Sequence, residues 1–184
     1  MEEDEEDEDV AFGLSSLLFI IPWAYSQFTL SKTFSVWTTV LLFLPITSFF
    51  CNAYPDHKKY TFLDHTVIIV LSMIYLLYNK NIFLPLLIYV LFIIEMCFVK
   101  DLSTTTMISF VALNLFAFTN FTRPELIIGL IVFTLSVFCK LYRNCKHKTY
   151  PFYTTIWHIG CVVLLILASR SINRLGTKAI KNFA

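Results

Sequence analysis

Apolar residues in this chain come in blocks of 16–20 residues, each closed by a short polar stretch. A helix needs about 20 mostly apolar residues to cross a hydrocarbon core of about 30 Å, and the blocks have that length. Core helices of a soluble domain would be shorter and amphipathic. The pattern therefore predicts an all-α, polytopic membrane protein: a bundle of about seven transmembrane helices with short loops.

The first predicted helix runs from Val10 to Leu30 with Pro22 and Trp23 midway, and the second from Phe34 to Ala53 with Pro45 inside. Proline is tolerated there because neighbouring helices, hydroxyls and waters satisfy the freed carbonyl. Helix 3 follows over Thr61–Tyr78, helix 4 over Ile82–Val99 and helix 5 over Ser103–Thr119. Helix 6 is expected over Pro124–Tyr142, where Pro124 suits a first helical residue, and helix 7 over Tyr150–Ser169. Asn79-Lys80-Asn81 reads as a tight turn. Loops this short make consecutive helices antiparallel neighbours. The domain reading is an acidic, disordered tail over 1–9, a seven-helix transmembrane domain over 10–170 and a basic C-terminal tail over 171–184.

Charge sharpens the tail and leaves orientation open. Glu2 to Asp9 are eight consecutive acids, whereas the rest of the chain has five acids against 14 Lys and Arg. A like-charge run repels itself and stays solvated; its functional alternative is docking onto a basic partner or onto basic loops of this chain. An acidic start does not match the basic n-region of a secretory leader, so the first apolar helix is expected to direct insertion. With an odd number of helices the termini lie on opposite sides. Seven basic residues then fall on each side, and the positive-inside rule is tied. Nothing supports nucleic-acid or nucleotide binding: there is no Gly-rich phosphate loop, and the basic residues are dispersed at membrane edges. A transporter would show internal symmetry or paired broken helices, but mid-block prolines are limited to Pro22, Pro45 and Pro85, and glycines number four. Membrane lipids and other membrane protein subunits are the expected partners. The large aromatic complement, 19 Phe, nine Tyr and three Trp, provides surface for both.

Charges and hydrogen-bonding groups inside apolar blocks are costly and point to a partner or a function. The candidates are Asp64 and His65 at the start of helix 3, Glu95 near the end of helix 4, and His158 in helix 7. Ser48 and Asn52 are four apart on one face of helix 2, and Thr154, His158 and Cys161 share one face of helix 7. Each has an ordinary reading: Asp64 as a helix cap, Glu95 as an interfacial or ion-paired residue, the others as interhelical hydrogen-bond partners. The five cysteines show no CxxC spacing, which excludes a zinc knuckle, and buried cysteines behave as small apolar residues.

The order of these residues resembles the seven-helix superfamily of alkaline ceramidases, adiponectin receptors and the post-GPI and myomaker proteins. That superfamily carries S-x3-H in helix 2, D in helix 3 and H-x3-H in helix 7. The nearest likeness is to the post-GPI/myomaker branch. It is carried by Leu14-Ser15-Ser16-Leu17-Leu18-Phe19-Ile20-Ile21-Pro22, Ser48-Phe49-Phe50-Cys51-Asn52-Ala53, Phe62-Leu63-Asp64 and Tyr153-Thr154-Thr155-Ile156-Trp157-His158. The resemblance implies a seven-span fold and, in members with all three histidines, a zinc ion that activates water against a lipid amide or ester.

Carried over position by position, this chain departs from the pattern. Asn52 and Thr154 stand where two zinc histidines belong; Ser48, Asp64 and His158 are retained. One imidazole does not hold zinc against water, and the remaining candidates are His158 with Asp64 or Cys161. Cys51 and His65 sit one residue, about 100° of helix, from family positions and are expected to face elsewhere. The expectation is a non-catalytic bundle with no cofactor, in which Ser48, Asn52, Asp64, Thr154 and His158 form a polar cluster that specifies packing. It would act as an accessory or scaffold subunit, or as a fusion-type membrane-remodelling factor. The alternative is a zinc-dependent lipid amide or ester hydrolase with an atypical ligand set.

Overall fold

The computed structural model describes residues 13–30, 35–54, 57–99, 101–145 and 151–181. The acidic run over 1–9 lies outside them. Among the described residues the chain is all-helical, with seven helices. A 3₁₀ turn over Ser15–Phe19 leads into α1 (Ile20–Thr29), followed by α2 (Ser35–Ala53), α3 (Lys58–Tyr78) and α4 (Phe83–Ile94). The end of α4 widens into a π-helical turn over Glu95–Val99; α5 (Ser103–Thr119), α6 (Arg123–Cys145) and α7 (Pro151–Lys181) complete the chain. Four helices are long and apolar enough to cross a membrane: Ser35–Ala53, Lys58–Tyr78, Arg123–Leu141 and Phe152–Leu175. Phe83–Val99 and Ser103–Thr119 are apolar but shorter.

Local chemistry sets the boundaries. Asn81 Oδ1 accepts the Leu84 N–H at 3.0 Å and so caps α4. Asp101 takes the Ser103 N–H at 3.0 Å, capping α5. Glu95 also serves α5: it is buried, and its Oε2 accepts the Thr105 N–H at 3.1 Å. Glu95, expected to be interfacial or ion-paired, is used as a cap supplied from the π turn that ends the preceding helix, and no ion pair to it is found among the described residues. Thr122 N–H donates to Glu125 Oε2 at 3.0 Å at the start of α6. The turn at Asn79-Lys80-Asn81 has Lys80 at φ 58°, the left-handed region.

The core lies where α1, α2, α3, α5 and α7 meet, around Trp37, Leu41, Leu71, Tyr75, Leu113, Ala117 and Ile172. The α4 helix lies at the edge against α3 and α5, and α6 packs chiefly along α7. That contact is close: a Cβ on Gly160 would collide with the Ser136 hydroxyl.

Helix α7 runs on through Lys181, well past the expected end at Ser169. The residues read as the start of a basic tail are part of the bundle. Ser171 and Ile172 are fully buried, and Tyr75 Oη and Ser171 Oγ lie 2.6 Å apart. Arg174 forks onto Glu125, with Nη2 2.8 Å from Oε2 and Nη1 3.1 Å from Oε1, while Arg170 Nε lies 3.2 Å from Oε1. Arg174 also donates to the Asn120 carbonyl, and Asn120 Nδ2 donates to Asn79 Oδ1 at 2.7 Å. Trp37 Nε1 donates to Ser169 Oγ at 3.0 Å, and Ser26 bonds the same hydroxyl at 2.8 Å. This hydrogen-bonded end ties α1, α2, α3, α5, α6 and α7 together.

Candidate functional site

The opposite half of the bundle contains a cavity of about 400 Å³. Its wall comes from Phe19 before α1, from α2, α3, α5 and α7, and from Lys140 of α6. The lining residues that stay partly exposed are Cys51, Asn52, Thr61, His65, Ser103, Thr106, Met107 and Lys140, together with Phe110, Ile68, Trp157 and Leu165 on the inner helix faces. The polar members of that set mark the mouth: α2 ends there, and α3, α5 and α7 begin there.

Ser48, Asn52, Asp64 and His158 all line this cavity. Helical spacing explains the gathering. Ser48 and Asn52 are one turn apart on α2, and Asp64 is two turns into α3, which runs back alongside α2. Asn52 Nδ2 donates to the Ser48 carbonyl at 2.8 Å, to Ser16 Oγ at 3.1 Å and to Ser48 Oγ at 3.4 Å. Thr47 Oγ1 approaches Asp64 Oδ1 at 3.5 Å, and Ser48 lines the same cavity one residue on. His158 Nδ1 lies 2.7 Å from Ser15 Oγ, and its ring meets Phe19 edge-on at 5.3 Å. The α1 entrance thus reaches α2 through Ser16 and α7 through Ser15.

Thr154 departs from the expected cluster. It is fully buried, but it is not part of the cavity wall, and its Oγ1 has no hydrogen-bond partner among the described residues. Cys51 and His65, expected to face elsewhere, both line the cavity. The void touches a broad arc of α2 and α3, so residues about 100° apart on one helix share it. Cys161 lines it beside His158, as the shared face predicts.

Several site residues were not singled out from the sequence. Ser15 and Ser16 carried only resemblance, yet they are the partners of His158 and Asn52. A Ser-Ser pair opening an apolar block was the available signal. Lys140 lies within the apolar part of α6, with Nζ 5.4 Å from the Trp157 ring centroid. Asn114, on the wall from α5, sits among apolar neighbours and had no partner to announce it.

The donor set does not fit the zinc ion that the resemblance implies. Asn52 spends its amide N–H groups on Ser48 and Ser16, Thr154 is off the wall, and His158 engages Ser15. No three His, Cys, Asp or Glu among the described residues are disposed around one ion. What the arrangement offers is a largely apolar space of about 400 Å³ with hydrogen-bonding groups at its mouth. No family model matches the chain, and no curated protein or solved structure shows significant similarity to it.

Proposed function

We propose that this protein is a seven-span membrane protein that works by association and not by hydrolysis. It acts as an accessory or scaffold subunit of a membrane assembly, or as a membrane-remodelling factor, on the architecture of the ceramidase, adiponectin-receptor and post-GPI/myomaker superfamily. The observation that carries this reading is the use made of the retained polar residues. Asn52, Asp64 and His158 are hydrogen-bonded to hydroxyls of neighbouring segments, with Ser48 accepting from Asn52 on its own helix, and so join helices where the family pattern would hold metal. Satisfied buried polar groups specify one packing.

The outer surface supports association. Phe83, Leu86, Leu87 and Phe98 of α4 and its π turn are exposed, as are Ile127, Ile131, Leu135 and Phe138 of α6. Purification in mild detergent tests the proposal: the protein should co-purify with a defined set of membrane proteins. A monodisperse monomer without partners would sink it.

The second reading, a zinc-dependent lipid hydrolase, is favoured by one observation, the gathering of Ser48, Asp64 and His158 in a single cavity. Metal analysis separates the two. A family-type site copurifies near one zinc per chain, whereas the association reading predicts less than ~0.1.

A further inference from the structure

The described chain begins at Gly13, and Gly13 is fixed at the cavity mouth. It is buried, and a Cβ on it would stand 2.9 Å from the Ala53 methyl and 3.1 Å from the Phe49 ring, at the end of α2. Just beyond it, Ser15 bonds His158 of α7, Ser16 bonds Asn52 of α2, and Phe19 forms part of the cavity wall. The segment leading into α1 is thus one side of the mouth. Eight acids, Glu2 to Asp9, precede it, separated from Gly13 by Val10-Ala11-Phe12 alone. Four residue steps span at most about 14 Å, so the acidic run is tethered beside the mouth. The rim has the opposite charge. Lys58 and Lys59 are exposed in the first turn of α3, and Lys140 lines the cavity from α6. The sequence adds Lys100, Arg143, Lys146 and Lys148 around the α4–α5 and α6–α7 connections, which close on this end, making seven cations. The acids there are Asp56 and Asp101 between helices, with Asp64 and Glu95 buried.

We propose that the basic rim of the mouth is a docking surface for the chain's own acidic run, and that residues 2–9, laid across it, close the cavity to the aqueous side. Charge complementarity supplies the attraction, and a run that repels itself when free gains by lying among cations. The tether makes the docking intramolecular, with an effective concentration in the millimolar range. The cations of the opposite end are out of reach of the nearer acids, since α3 alone puts about 30 Å between the two ends. A molecule entering the cavity from the aqueous side must first displace the run. The docking goes beyond the association reading and holds for either use of the bundle.

Cys51 reports on the mouth, because it lines the cavity and is partly exposed. Its reaction with a small neutral maleimide is timed in the full chain, with Cys97, Cys139, Cys145 and Cys161 replaced, in phosphatidylcholine nanodiscs. A second chain has every acid from Glu2 to Asp9 replaced by its amide, which alters no residue of the wall. At ~20 mM salt the amide chain should react about tenfold faster, since an intramolecularly docked run covers the thiol most of the time. At ~1 M salt, where the screening length is about 3 Å, the two chains should react alike. Equal rates at low salt overturn the proposal, and so does a difference that persists at high salt, because charge would then not hold the run. The unmodified chain gives a check that needs no variant. Carbodiimide joins a carboxylate to an amine in contact with it, and mixing isotope-labelled with unlabelled chains separates joins within a chain from joins between chains. Mass spectrometry should find residues 2–9 joined to Lys58 or Lys59 of the same chain. Joins only between chains would give the rim to a second copy, and joins only to Lys80 would place the run at the other end; either overturns the proposal.

Discussion

Single positions show where this chain accepts local cost. Lys80 holds a left-handed backbone, which costs an L-residue about 1–2 kcal/mol. Glycine removes that strain but loses more chain entropy on folding. Lys80→Gly should therefore raise stability by up to about 1 kcal/mol, read as a higher melting temperature in detergent; a lower one would refute the assigned turn. Among site residues, Ser48 with Asn52 and His158 with Cys161 were legible because helical spacing fixes which residues share a face, while the order Ser48, Asp64, His158 was carried by the resemblance alone. Orientation one residue away was not legible. Cys51 and His65 reach the cavity because its wall is broader than a single helical stripe. Thr154 satisfied the spacing yet stays off the wall, since spacing cannot report how helices rotate against one another. Lys140 and Asn114 were illegible for a related reason: nothing along α5 or α6 says which face meets the cavity.

At the scale of the elements, five of the seven helices were readable from block length and punctuation to within about three residues. The exceptions are the first, expected from Val10 but entered through a 3₁₀ turn over Ser15–Phe19 so that α1 begins at Ile20, and α7, which the sequence ends at Ser169 and the structure carries to Lys181. The missing signal is a partner 49 residues away: Glu125, near the start of α6, receives Arg174 in a forked pair and also Arg170. Glu125 is nearly buried while Arg170 is half exposed, so the contributions should be unequal. Glu125→Ala should destabilise by about 2–3 kcal/mol, because charge-assisted hydrogen bonds to a buried carboxylate are lost together. Arg170→Ala should cost no more than about 1 kcal/mol, the range of exposed pairs. Thermal unfolding of the two variants measures the order, and equal shifts would contradict the geometry. The α6–α7 contact allows a sharper test. Gly160→Ala places a methyl against the Ser136 side chain and should cost about 1–3 kcal/mol, the range for overpacking. Adding Ser136→Gly removes the obstructing atoms and should restore most of the loss. Failure of the double variant to recover would mean that the two helices do not pack at this point.

For the whole molecule the open quantity is how many helices cross. Helix α5 has 17 residues, and α4 with its π turn has the same length, about 26 Å against a core of about 30 Å. Bilayer thinning and snorkelling of flanking residues absorb a mismatch of that size at modest cost. The cavity supplies the stronger argument. Ser103, at the start of α5, and Thr61, in the first turn of α3, both line the cavity and both stay partly exposed, so the two helices open on one mouth. If α3 crosses, a chain that leaves it at Asn79 and returns to the level of Thr61 by Ser103 passes back through the same thickness. A short hairpin resting on the far surface would leave Ser103 beside Lys80. Single cysteines in a background lacking Cys51, Cys97, Cys139, Cys145 and Cys161 discriminate between these arrangements. With an impermeant thiol reagent, His57→Cys and Ser103→Cys should label from one side of sealed vesicles, and Lys80→Cys and Thr122→Cys from the other. Labelling of Ser103→Cys together with Lys80→Cys would reduce the crossing helices to those that are long by themselves.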